Sequence, residues 1–378
     1  MRAKETTNET ANETTNETNG DMNNKTTNDA ANDTANGTAN ETVNGPAKKP
    51  LAGRIALVAG ATRGAGRGIA LMLGEAGALV YCTGRSVAGA PPASGVHKGR
   101  AETIEETALM VSARGGRGIH ARVDHTDEAQ VAALFERVKA EQGRLDILVN
   151  VLGGDTQAEW KPFWQQSLDK GLRWLQQELF AHIITSRHAV ALMCERKPKN
   201  GLVVCVTDGD GVGYRGSFFF DLVKVSTIRL AYAMAEELAP KKIAALAVSP
   251  GFMRTEWMLD HFGATEENWR EVARTNPEAK SFGFEASETP CFVGRAIAAL
   301  AADRRVLDKS GGVYGSWTLS DEYGFSDVDG NRPHMGRYFE EHYKEVFAAT
   351  TKTGFRWKLE REAPPAKAQP RTRAKRAI

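Results

Sequence analysis

The chain has 378 residues, a formal net charge of +2, 41% hydrophobic and 25% charged residues. Length alone allows two domains, and the small net charge says little about partners because the basic excess is concentrated in the last tail. No apolar run approaches membrane-span length, and Cys82, Cys194, Cys205 and Cys291 have neither a metal-site nor a disulfide-framework spacing.

In chain order, residues 1–49 are almost wholly Asn, Glu, Thr, Ala, Asp and Gly. Such a segment buries too little apolar area to offset its ordering entropy, so a disordered low-complexity tail is expected. Its Asn-x-Thr triplets at Asn8, Asn12 and Asn24 follow no apolar leader and are read as accidents of composition. The protein is therefore expected to be soluble and cytoplasmic, with no metal and with its cysteines buried as small hydrophobes.

The strand Ile55-Ala56-Leu57-Val58 runs into Gly60-Ala61-Thr62-Arg63-Gly64-Ala65-Gly66, and apolar periodicity follows from Ile69 to Leu79. A second strand, Ala78–Cys82, completes a βαβ unit. Strand, glycine turn and helix in that order let backbone N–H groups and a helix N-terminus receive a pyrophosphate, so a dinucleotide site is expected.

A Gly/Pro-rich loop from Ser86 to Arg100 precedes a helix over Ile104–Ala113, and the strand Gly118–Val123 ends at Asp124. A helix over Glu128–Gln142, the strand Leu145–Val149, a long helix over Leu172–Glu195 and the strand Leu202–Val206 come next. A helix over Asp221–Leu238 and the strand Ile243–Val248 lead to Pro250-Gly251. The irregular stretch Phe252–Pro290 carries Trp257, Phe262, Trp269, Phe282 and Phe284, and reads either as an apolar substrate lid or as the core of a helical insertion. A second aromatic insertion, Glu159–Trp164, could form an opposite pocket wall. A helix over Phe292–Ala302 and a strand near Gly312–Gly315 close the set. Lys367, Arg371, Arg373, Lys375 and Arg376 then mark 349–378 as a basic disordered tail, leaving 50–348 as the folded domain.

Alternating strands and helices at this spacing specify an α/β fold with a doubly wound parallel sheet, whose ligands sit beyond the carboxyl ends of the strands. Those ends are Gly60, Arg85, Asp124, Asn150, Thr207 with Asp208, and Gly251.

With Gly60-x-x-x-Gly64-x-Gly66, the Asn150 segment and Pro250-Gly251-x-x-x-Thr255, residues 51–332 closely resemble the short-chain dehydrogenase/reductase family. Gly60–Ala70 and Tyr323–Gly330 resemble its subgroup typified by dehydrogenase/reductase family member 1. The resemblance implies a single Rossmann-like domain with insertions and a nicotinamide cofactor held by Gly60, Thr62, Arg63, Gly64, Ala65, Gly66, Asp124, Asn150, Gly153, Lys224, Pro250, Gly251 and Thr255. No acid follows the second strand; Thr83-Gly84-Arg85-Ser86 does. Arg85 and Arg63 offer charge-assisted hydrogen bonds to a 2′-phosphate, so NADP(H) is expected. Asp124 reads either as an adenine contact or as a strand-end cap.

Family enzymes use Tyr-x-x-x-Lys on a helix, the ammonium lowering the phenol pKa so that the phenol exchanges a proton with the substrate oxygen. Here the register gives Phe220-Asp221-Leu222-Val223-Lys224. The supporting serine falls at Thr207 or Asp208, and the supporting asparagine at Glu178. Loss of a general acid costs about 10² to 10⁴ in rate. Three repairs are open: Tyr214 swinging in, Asp208 kept neutral by an apolar pocket, or Lys224 acting with a water chain. The resemblance implies an NADP(H)-dependent reductase of an apolar carbonyl or alcohol. The triple departure at Glu178, Asp208 and Phe220 favours a non-redox protein that keeps the dinucleotide site. Neither reading calls for nucleic acid or membrane, and pairing through the helices ending near Met193 and Leu238 implies a homodimer or homotetramer.

Overall fold

A computed structural model describes residues 49–342 apart from 91, 93–94, 154–156, 196–199 and 210–213. Both expected tails lie outside the described residues, save Lys49, whose ammonium donates to the carbonyl oxygens of Arg114 and Gly115.

The first half runs β1 (Ile55–Ala59), α1 (Gly64–Glu75), β2 (Leu79–Gly84), α2 (Ile104–Ala113), β3 (Arg117–Arg122), α3 (Glu128–Gln142) and β4 (Ile147–Asn150). The second begins with α4 (Leu168–Leu175), a π-helical turn over Gln176–Phe180, α5 (Ala181–Glu195), β5 (Gly201–Val206), α6 (Phe218–Leu238) and β6 (Ile243–Ser249). After it come α7 (Glu256–Phe262), α8 (Trp269–Thr275), α9 (Pro277–Ser281), α10 (Pro290–Ala302), β7 (Val313–Gly315), α11 (Ser316–Tyr323) and α12 (Met335–His342).

The seven strands form one sheet in the order β3-β2-β1-β4-β5-β6-β7, every pairing parallel. Strands β1, β4, β5 and β6 are buried at every residue, as continuous apolar runs must be when helices cover both sheet faces. The chain reverses its winding between β1 and β4, and the crevice at their carboxyl ends is where such sheets take ligands.

Local signals set most boundaries. Asp127 caps α3 by accepting from the N–H groups of Ala129 and Gln130, and Gly143 ends it at φ +68°. Helix α1 is the exception, since Arg63 stands at its N-cap and makes no side-chain capping bond. The chain turns helical at Gly64, five residues before its apolar periodicity begins, because Ala65 and Gly66 are themselves packed inside.

One sequence expectation needs correction, one open alternative is decided, and two helices are added. The helix expected from Leu172 to Glu195 starts at Leu168 and is interrupted by the π-helical turn. In the aromatic stretch after Pro250, Phe262, Trp269 and Phe284 form the core of a helical insertion, while Phe282 is exposed. Helices α11 and α12 carry no signal in the sequence reading. Cys82, Cys205 and Cys291 are buried free thiols, as expected, whereas Cys194 is only half-buried.

Candidate active site

The turn between β1 and α1 is built so that only glycine fits. Gly60 has φ +92°, and a Cβ on Gly66 would overlap the Gly60 carbonyl oxygen. The first glycine makes the turn, and the last lets α1 pack against it, leaving a backbone cradle of the kind that accepts a diphosphate. Thr62 is buried beside it, and its carbonyl accepts from Arg67 Nε at 3.1 Å. The Gly64 N–H donates to Glu256 Oε2 at 2.8 Å.

At the end of β2, Arg63 donates to Ser86 Oγ (3.3 Å) and to Glu102 Oε2 (3.3 Å). Arg100 also binds Glu102, with Nε–H donating at 2.9 Å. Burial works against the Glu102 carboxylate, but the guanidiniums of Arg100 and Arg63 hold its pKa down to about 2. Arg85 is exposed on the same stretch. Asp124 accepts from Thr126 N–H at 3.0 Å and Oγ at 2.7 Å, so it caps a turn.

At the end of β4, Asn150 is fully buried and its amide donates to Ser186 Oγ at 2.9 Å. Gly153 has φ +112°, and a Cβ there would collide with the Glu178 carboxylate. Glu178 is itself fully buried, although it sits in a helical stretch that opens to solvent on either side. Its Oε1 accepts from Lys224 Nζ at 2.6 Å, and its Oε2 accepts from Trp174 Nε1 at 3.1 Å.

Lys224 lies one turn beyond Phe220 on α6, its Nζ 5.8 Å from the Phe220 ring centre. Trp174 and Trp160 flank that ring, with centroids 5.6 Å and 6.4 Å away. Thr207 is buried and donates to the Lys224 carbonyl at 2.9 Å. Asp208 is exposed, so the apolar pocket that would keep its carboxyl neutral is not around it. Tyr214 is 60% exposed and, among the described residues, makes no ring contact with Phe220.

At the end of β6, Ser249 donates to the Pro250 carbonyl at 2.9 Å, and the Gly251 N–H donates to Glu288 Oε2 at 2.9 Å. Thr255 caps α7 and stands against Gly64. The expected cofactor residues thus line the carboxyl ends of β1, β4 and β6, with Lys224 facing them from α6. Positive-φ glycines, tight backbone approaches and an uncapped α1 fit a nicotinamide dinucleotide.

The family model for short chain dehydrogenases matches residues 54–266. The chain belongs to the short-chain dehydrogenase family. Dehydrogenase/reductase SDR family member 1 of Mus musculus is 32% identical over 294 residues, covering 74% of this chain and 85% of the relative. Cis-4-hydroxycyclohexanecarboxylate dehydrogenase of Sinomonas cyclohexanicum is 30% identical, covering 66% and 95%. A short chain dehydrogenase structure from Mycobacterium thermoresistibile shares the fold at a TM-score of 0.60 and 19% identity, covering 76% of this chain and 92% of its own. Family membership implies an oxidoreductase with a nicotinamide cofactor and a small-molecule substrate. No helix among the described residues is long and apolar enough to cross a membrane.

Within this family site, four groups escaped the sequence reading. Trp174 orients Glu178. Glu102 and Glu256 bind Arg63 and Gly64, two of the residues expected to meet phosphate. His182 lies four residues beyond Glu178 and is fully buried. Burial, reinforced by the Lys224 charge, pushes its pKa down to about 3 and keeps it neutral. The spacing Trp174-x-x-x-Glu178-x-x-x-His182, one helical face, was the available signal for Trp174 and His182.

Proposed function

We propose that this protein is an NADP(H)-dependent reductase of apolar carbonyl compounds, or the alcohol dehydrogenase in reverse, in which Lys224 takes over the proton work of the missing phenol. The carrying observation is the Lys224 ammonium, 2.6 Å from the buried Glu178 carboxylate and beside a Phe220 ring that has no proton to give. The arginines support NADP(H): Arg63 reaches Ser86 at the end of β2, with Arg85 next in sequence. Both suit a 2′-phosphate. The aromatic wall of Phe220, Trp174 and Trp160 supports an apolar substrate.

The cofactor, when bound, supplies or accepts the hydride. Amides of Gly64, Ala65 and Gly66 would hold its diphosphate, and Lys224 would hold the nicotinamide ribose. In reduction, the Lys224 Nζ–H goes to the carbonyl oxygen as that oxygen gains charge, and solvent returns a proton to the amine. Glu178 keeps the ammonium aimed, while Trp174 keeps Glu178 from turning away. Lys224 is favoured over Asp208 and Tyr214, whose exposure leaves them no fixed position beside Phe220.

The engagement of Lys224 by Glu178 also supports a second reading, a non-redox protein that retains the dinucleotide site for isomerisation, cyclisation or regulation. Nicotinamide absorbance, followed with NADPH and a panel of aldehydes, ketones and quinones, separates the two. Turnover is expected. NADPH binding without turnover of any carbonyl would defeat the reductase. In the companion variant Phe220→Tyr, a restored phenol should raise the rate by about 10² to 10⁴.

A further inference from the structure

Helix α1 lacks a side-chain cap of its own, and the carboxylate that serves it comes from 192 residues away. Glu256 Oε2 accepts from the Gly64 N–H at 2.8 Å, and its Oε1 lies 3.8 Å from Arg67 Nε. A carboxylate between a helix N-terminal amide and a guanidinium copies what a phosphate does at that place. Arg67 is otherwise committed, donating to Thr62 O, Thr107 Oγ1 and Glu106 Oε2. Glu256 is therefore the part that can leave.

Its departure would involve more than one side chain. Glu256 opens α7, directly after Thr255, which stands against Gly64. Toward its other end, Asp260 pairs with Arg100 at 2.8 Å, and Arg100 shares Glu102 with Arg63. Helix α7 is thus strapped at both ends to the nucleotide half of the domain. Its Phe262 belongs to the same packed cluster as Trp269 and Phe284.

We infer that Glu256 is a gate on the diphosphate seat: it holds α7 to α1 through Gly64, competes with the incoming diphosphate for that amide, and so couples cofactor capture to the position of α7. The inference rests on the dinucleotide reading above. Two anionic groups cannot share one N–H a few ångströms from each other without strong repulsion, so the energy of binding is spent partly on moving the carboxylate.

Calorimetry on the full chain tests this with NADPH, ADP and adenosine 2′-monophosphate. Glu256→Gln keeps an acceptor for Gly64 but removes the charge, and should tighten NADPH and ADP about tenfold. Adenosine 2′-monophosphate, which brings no diphosphate, should bind wild type and variant alike. Glu256→Ala, which removes the acceptor as well, should tighten NADPH in the same direction. NADPH binding that is unchanged or weaker in both variants overturns the gate alone. Failure of wild type and variants to bind NADPH overturns the gate together with the dinucleotide reading.

Discussion

Glu178 lies on the π-helical turn, between the buried Trp174 and His182, and is the buried counter-ion of Lys224. A carboxylate with no exposed surface is tolerable because both oxygens are used, one by an ammonium and one by an indole N–H. The pair is thus a mutual obligation rather than a bonus. Replacing Lys224 with Met strands the Glu178 charge, and should destabilise the fold by about 3–5 kcal/mol in urea titration. The double variant Lys224→Met/Glu178→Gln should recover part of that loss, because the stranded charge is gone. A double variant no more stable than Lys224→Met would show that the ion pair is incidental to packing.

Helices α1 and α10 meet backbone to backbone. A Cβ on Gly68 would overlap the Pro290 carbonyl, and one on Gly294 would press on the Gly68 carbonyl oxygen at 2.6 Å. Neither neighbour is a flexible side chain, so nothing yields cheaply. Gly68→Ala should therefore cost at least about 1–3 kcal/mol in urea midpoint analysis; a change too small to measure would mean that the helices slide apart freely. Gly68 follows the glycine motif by two residues, yet its reason is packing and not a ligand. The same distinction explains what the sequence disclosed at this scale. The strands were legible because each is a local apolar run, and the glycine turn because its constraint is backbone conformation. The π-helical turn was not, because no local pattern marks it; at Glu178 it meets Trp174 of α4 and Lys224 of α6. Glu256 was invisible for the same reason, its partner Gly64 lying 192 residues away, and so was the contact of Glu102 with Arg63, although Arg100 binds Glu102 from two residues off.

Across the molecule, buried titratable groups set opposing limits on stability. His125 is buried between the hydroxyls of Thr83 and Thr185, and burial pushes its pKa down to about 4, while His182 falls to about 3. Both stay neutral in the fold, so their contribution is whole above the ordinary value of 6.5 and is lost as the pH falls towards 3. Glu288 acts with the opposite sign. It joins the end of β6 to the start of α11, accepting from Gly251 N–H at 2.9 Å and Ser316 Oγ–H at 2.5 Å. Burial raises its pKa from 4.5 to about 8, an effect that those two donors and the Arg254 charge oppose and Asp327 reinforces. A folded pKa above the unfolded one means that the fold favours the protonated acid. That contribution is whole below pH 4.5 and drains away as the pH rises through about 8. Glu288→Gln keeps an acceptor for both donors and cannot ionise. Thermal melting of the two proteins from pH 5 to 9 should show the variant gaining on the wild type as the pH rises, with the gain levelling off above pH 8. A constant offset at every pH would instead place Glu288 as a carboxylate in the fold, its two donors and Arg254 together outweighing its burial.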